Sequence, residues 1–205
     1  MSTHASQAGA PSTADDPLRG ARIIVGVTGG IAAYKTATLV SRLAQAGAEV
    51  SVLMTPSATR FVTPLTFQAL SGRPVYTSAW EHVESHDPQH IALARSAHGV
   101  IVAPCSMDAM ARLAHGLTDD VVTLVLSAVD RAITPVILAP SMNEVMWNQP
   151  ATRRNLERLR EDGFRIAEPG TGWQACRTVG PGRMQEPEDL LEVVRQSVRE
   201  RRTRG

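Results

Sequence analysis

The sequence is poor in lysine, in aromatic rings and in cysteine, and it contains no long apolar run. Lys35 is the single lysine among 21 basic residues. Such a bias often follows a GC-rich genome rather than chemistry. Aromatic residues make up 4% of the 205 residues. A protein that stacks single-stranded bases on aromatic platforms usually carries more. Charged residues are 20% with a formal net charge of +1, which excludes a nucleic-acid coat and an acidic solvating protein. No stretch approaches the roughly 18 apolar residues of a membrane span. The two cysteines, Cys105 and Cys176, are too few for a disulfide framework. The N-terminal stretch MSTHASQAGAPSTADDPLRG lacks the basic start and apolar centre of a signal peptide. Free thiols in a reducing cytoplasm are therefore expected.

What is present is enough for one domain with a core that needs no staple. Residues 1–20 are small and polar and predict a disordered tail, leaving 21–205 as a single domain. ARIIVGVTGG is an apolar run ending in glycines, IAAYKTATLVSRLAQAG has helical spacing, and AEVSVLMT reads as a second strand. Strand, Gly turn, helix and strand in succession make a βαβ unit and a parallel sheet. The alternation continues. SATRFVTPLTFQALSG predicts a helix broken near Pro64, and GVIVAPC and PVILAPS predict buried strands. SMDAMARLAHG, TDDVVTLVLSAV, ATRRNLERLREDG and the Arg-rich C-terminal stretch predict helices, with a short strand at FRIAEP. The expected fold class is α/β: a Rossmann-like (flavodoxin-like) three-layer sandwich with a mostly parallel sheet.

In such folds ligands bind beyond the carboxyl ends of the strands. Gly26-Val27-Thr28-Gly29-Gly30 is neither G-x-G-x-x-G nor a P-loop. A Gly turn into a helix N-terminus suits an anion, and the turn runs through Ile31. The second strand ends in Met54-Thr55-Pro56-Ser57, without the carboxylate that would hold a dinucleotide ribose. Hydroxyls there suit a phosphate monoester, which favours FMN over NAD. The plain alternative is a strand–helix turn with a capping hydroxyl. His82, His86 and His90 fall at four-residue spacing, but Pro88 interrupts that face, and no metal is expected.

Pro140-Ser141-Met142-Asn143-Glu144-Val145-Met146-Trp147 is the most specific segment. It resembles the P-x-M-N-x-x-M-W motif of the flavin-containing cysteine decarboxylases. That homo-oligomeric family includes phosphopantothenoylcysteine decarboxylases and enzymes acting on C-terminal cysteines of peptides. GVTGGIAAYK, TFQALSGRPVY, Gln89-His90-Ile91-Ala92-Leu93, LAHGLTDD and Ala175-Cys176 with Gly180-Pro181-Gly182-Arg183-Met184 resemble further family segments in the same order. The likeness runs from about Arg22 to Leu191.

The resemblance implies FMN as cofactor and decarboxylation of a cysteinyl carboxylate as activity. In the family's mechanism the cysteine side chain is oxidised to a thioaldehyde, whose C=S group accepts electrons as CO2 leaves to give an enethiolate. His90 would be the acid–base, since imidazole moves a proton near neutral pH. Asn143 would orient the substrate carboxylate and amide without charge. Met142 would wall the substrate, and Arg183 would meet a substrate phosphate. FMN would be held by Thr28, Gly29, Gly30, Ile31, Thr55, Ser57, Cys105, Ser106, Met107 and Asp108.

Cys176 separates the branches. In phosphopantothenoylcysteine decarboxylases the flap cysteine protonates the enethiol as it is reduced, which completes a cycle to 4′-phosphopantetheine in coenzyme A biosynthesis. Peptide decarboxylases of lanthipeptide or linaridin pathways stop at the enethiol and lack this cysteine. The sequence thus implies the coenzyme A enzyme, with a peptide C-terminal cysteine as the alternative substrate. Two positions depart from the family. Arg177 stands where it has Gly, and Asp108 stands where Asn is usual. The resemblance also implies a homotrimer or homododecamer in which His90 of one subunit faces the Asn143 loop of another, with neither nucleic acid nor membrane as partner.

Overall fold

A computed structural model describes residues 16–80 and 89–204 of the chain. The apolar runs form β1 (Arg22–Val27), β2 (Glu49–Met54), β3 (Val75–Tyr76), β4 (Gly99–Cys105), β5 (Val136–Pro140) and β6 (Arg165–Ile166). They pair in parallel in the order β3-β2-β1-β4-β5-β6. Val25 lies between Val52 of β2 and Ile101 of β4. Every residue of β4 and β5 is buried, which is why both read as unbroken apolar runs.

Helices cover both faces. On one side Ile23, Val25 and Val27 pack with α1 (Ala33–Gln45), α2 (Pro64–Ser71) and α8 (Pro187–Arg204), through Leu39, Leu43, Phe67, Leu190 and Val194. On the other, Ile24, Val100, Val102 and Leu138 meet α3 (Gln89–Ser96), α4 (Met107–His115), α5 (Val121–Ser127) and α7 (Pro150–Glu161). Alternate residues of β1 thus feed opposite cores, giving the expected three layers. Each fully buried Leu or Val contributes about 1.5–3 kcal/mol.

Pro64 does not break a helix; it opens one. It is the first residue of α2, where its missing N–H costs nothing. The preceding residues 58–60 form a short 3-10 turn. Ser106 caps α4 and Asp120 caps α5 through side-chain oxygens. Four elements are additional to the predicted alternation, the first being the edge strand β3. α6 (Glu144–Asn148) follows β5, and β7 (Gly170–Trp173) pairs with β8 (Val179–Arg183) as a separate antiparallel hairpin.

The predicted tail was expected to reach Gly20, but residues 16–20 belong to the folded unit. Leu18 is fully buried in the α1/α8 core. Asp16 accepts a bond from the Leu18 N–H at 2.9 Å and pairs with Arg195 of α8 at 3.0 Å. Residues 1–15, and His82, His86 and Pro88, lie outside the described residues.

Candidate functional site

The carboxyl ends of β1, β2, β4 and β5 lie along one edge of the sheet, and strand order reverses between β1 and β4. That switch point opens a crevice where open α/β sheets bind ligands. Thr28 ties its two sides together. Its Oγ1 donates to the Pro104 carbonyl at 2.7 Å and accepts from the Ser106 N–H at 2.9 Å. Thr36 adds a bond to the Ala103 carbonyl at 2.6 Å.

A cavity of about 610 Å3 occupies this edge. Gly29, Gly30 and Ile31 form one wall, Ser106 and Met107 the floor, and Met142 and Asn143 a second wall. Cys176 and Arg183, from the hairpin, also line it. Nine of the predicted site residues therefore converge, from four separate segments. At Gly29 the chain passes so close to Ser57 that a Cβ there would sit 2.6 Å from the serine Cβ. Only glycine permits that approach.

The other predicted residues do not line the cavity. Thr28 and Thr55 act beneath it: the Thr55 Oγ1 accepts from the Ala58 N–H at 3.2 Å and holds the turn carrying Ser57. Cys105 is wholly buried, and desolvation pushes its thiol up to about 12, so it is a core residue and no nucleophile. Its carbonyl accepts from the Ser141 N–H at 3.1 Å and anchors the next loop. Asp108 has a side chain 73% exposed and paired with Arg112 at 2.8 Å. Its carboxylate is thus engaged along α4, one turn on. His90 is the second residue of α3 and does not line the cavity of its own chain. Trp147 is buried in the core beneath the guanidinium of Arg153, while its motif neighbours Met142 and Met146 face the cavity.

Asn143 caps α6, its Oδ1 accepting from the Met146 N–H at 2.8 Å. The acceptor atom is thereby used, which leaves Nδ2 as a donor for an anionic group. The hairpin docks on this loop. The Met142 N–H donates to the Gly182 carbonyl at 3.0 Å, and Gly182 has φ 111°. A Cβ at Gly182 would lie 2.3 Å from the Met142 carbonyl oxygen.

Sequence reasoning missed Gln174. It is 8% exposed, and its Nε2 donates to the Pro181 carbonyl at 2.6 Å while its Oε1 accepts from the Glu144 N–H at 3.3 Å. It joins both hairpin strands to α6. Cys176 sits in the hairpin loop with its Sγ 3.0 Å from the Thr178 Oγ1, and it donates to the Gln174 Oε1 at 3.5 Å. A glutamine in a Gly-rich stretch reads as a solvated turn, and no pattern signalled its burial. Lys35 reaches from α1 to the far end of the hairpin, where its Nζ meets Glu186 at 2.9 Å and the Met184 carbonyl at 3.4 Å. Arg183 bonds the same carboxylate at 2.6 Å. The Lys35 bond, followed by the charge of Arg183, outweighs burial and holds the Glu186 carboxyl below its usual range.

An open parallel sheet with a Gly turn and a largely apolar cavity at its switch point is the architecture of a mononucleotide-binding protein. The chain belongs to the Flavoprotein family, whose model matches residues 11–199. It is 44% identical over 176 residues to the coenzyme A biosynthesis bifunctional protein CoaBC of Bacillus subtilis, covering 86% of this chain and 43% of that protein. The Escherichia coli K12 protein of the same name is 43% identical over 176 residues, with the same coverage. The chain thus spans less than half the length of these relatives. Among solved structures, a PPC decarboxylase cysteine-to-serine mutant complexed with pantothenoylaminoethenethiol superposes with a TM-score of 0.77 at 30% identity, covering 87% of this chain and 98% of that one. The FMN-dependent cysteine decarboxylase SpaF gives 0.76 at 28% identity, covering 90% and 99%.

Proposed function

We propose that this chain is an FMN-dependent decarboxylase that converts 4′-phosphopantothenoylcysteine to 4′-phosphopantetheine in the cytoplasmic synthesis of coenzyme A. The observation that carries this reading is the placement of Cys176, on a docked hairpin, at the same cavity as Asn143. The identity to the CoaBC proteins supports it.

The residues present fit a flavin mononucleotide. Gly29 and Gly30 bring backbone close to the cavity, and beside Gly30 the nearest atom a Cβ would meet is Pro104 Cγ at 3.7 Å, so there is room. Ser106 and Thr55 use their hydroxyls as caps, whereas the Ser57 hydroxyl makes no capping bond. Ser57 and the N–H groups entering α1 would hold the phosphate. Ser106 and Met107 would hold the ring system. FMN held there would supply reversible two-electron redox chemistry for the cysteine side chain.

The remaining chemistry belongs to the protein. Asn143 donates from Nδ2 to the substrate carboxylate and orients it without adding charge, so the carboxylate is held but not stabilised against loss. Met142 and Met146 exclude water from that face. The Cys176 thiol delivers a proton to the enethiolate carbon as the product is reduced. Arg183 is half-neutralised by Glu186 and keeps guanidinium donors for the substrate phosphate. His90 acts from a neighbouring subunit in a trimer or a dodecamer of trimers. Ile31, Tyr34 and Trp173 leave an exposed apolar rim around the cavity, which supports a covering partner.

Mass spectrometry of the purified, FMN-loaded protein with 4′-phosphopantothenoylcysteine tests the proposal. The expected product has lost CO2 alone. A peptide with C-terminal cysteine is the competing substrate. Turnover of the peptide, with none of the phosphopantothenoyl compound, would replace the first reading by the second.

A further inference from the structure

A second cavity, of about 620 Å3, lies at the other end of the sheet. It opens where the chain enters β5 and β6 and where α8 ends, so it is remote from the switch point. Arg131, Arg165, Arg201, Arg202 and Arg204 line it. Among the described residues, the one ion pair made by these five side chains is Arg165 with Glu200, at 2.8 Å. Arg131 donates to the Asp162 carbonyl at 2.7 Å and lies over the Phe164 ring. Arg202 donates to the Arg19 carbonyl at 3.2 Å. The carbonyl contacts of Arg131 and Arg202 hold those two guanidinium groups without neutralising them. Among the described residues, the buried Nε of Arg201 finds no hydrogen-bond partner.

Cations at the end of a helix are ordinary, because the helix dipole favours them there. That accounts for Arg201, Arg202 and Arg204. It does not account for Arg131 and Arg165, which come from a loop and a strand and converge on the same concavity. The remaining wall is apolar, with Ile133 at 60% exposure beside Pro135. The volume suits an organic molecule rather than a simple oxyanion.

We propose that this cavity binds a phosphorylated organic molecule of nucleotide size. Its phosphates meet Arg201, Arg202 and Arg165, whose planar forks match phosphate oxygens. Its apolar part lies on Ile133 and Pro135. No step of the decarboxylation needs this site, so it stands or falls independently of that reading.

The test is calorimetric titration of the full FMN-loaded chain with ATP as the probe, at about 150 mM salt to screen loose surface attraction. Tripolyphosphate and adenosine are the comparison probes. The expected result is saturable binding of one ATP per chain, weaker binding of tripolyphosphate and none of adenosine. Arg201→Ala and, separately, Arg202→Ala should each weaken ATP about tenfold or more, the loss of a charge-assisted contact, with the flavin absorbance unchanged. Absence of saturable ATP binding would overturn the proposal. So would ATP affinity equal in both variants and the parent, or tripolyphosphate binding as tightly as ATP. Arg202 reaches only a carbonyl near the chain start, so its variant keeps the test informative should Arg201→Ala unfold.

Discussion

Arg177 adopts φ 65°, the left-handed region that a side chain with a Cβ rarely enters. The reason lies in the hairpin loop. The Arg177 N–H closes a turn onto the Gln174 carbonyl at 2.9 Å, and the Gln174 N–H bonds the Thr178 carbonyl at 2.8 Å. A three-residue loop of this kind ends on a left-handed residue, usually glycine. The family's glycine after the flap cysteine is thereby explained, and arginine here carries strain. Arg177→Gly should stabilise the protein by about 1 kcal/mol, read as a higher midpoint in thermal unfolding. An unchanged midpoint would show the turn to be unstrained. Gly182→Ala should act in the other direction, costing about 1–3 kcal/mol and lifting the hairpin from the Met142 carbonyl. Faster alkylation of Cys176 measures that lift. At this scale the sequence showed residue types better than their duties. Met142, Asn143 and Cys176 reach the cavity as their motifs implied. Cys105 sits in the core, because alternation along a strand decides which side chains face a ligand and a motif letter does not.

The hairpin of β7 and β8 is held at both ends by polar contacts rather than by a core. Gln174 fixes the loop end to α6, and Lys35 and Arg183 share Glu186 at the other. The Glu186 carboxyl is held below its usual range, chiefly by its bond to Lys35. A depressed carboxylate contributes fully above its unfolded pKa, about 4.3, and that contribution fades as pH falls through the lower folded value. The hairpin should therefore become sensitive to proteolysis in acid, and Lys35→Met should make it sensitive at neutral pH as well. Equal digestion of both proteins across the pH range would contradict this. β1, β4 and β5 were legible because nearly all their residues are buried and they form apolar runs, whereas the two-residue edge strand β3 showed no such run. The hairpin was not legible either, since GTGW and VGPGR alternate no apolar face and carry glycine and proline that argue against a strand. α6 escaped notice because a single turn shows no period.

The molecule as a whole presents a cavity whose rim is apolar and whose expected acid–base, His90, stands outside it. Both features are met if neighbouring subunits complete each other's sites. Co-expression of His90→Asn and Asn143→Asp chains, each inactive alone, should then restore activity, because some mixed interfaces carry both native residues. Continued inactivity of the mixture would place the whole site within one chain. The fold class was readable from the strand–helix alternation, and the strand-end residues pointed to the edge of the sheet where the cavity opens. The docking of a hairpin at that edge depends on contacts between residues far apart in the chain, which no local pattern carries.

The most direct measurement is the product mass formed from 4′-phosphopantothenoylcysteine by the Cys176→Ser enzyme beside the parent. The parent should release a product that has lost CO2 alone. The variant should still release CO2 but give a product two hydrogens lighter, the unreduced enethiol. The same saturated product from both proteins would contradict the role given to Cys176, and with it the assignment to the full coenzyme A cycle.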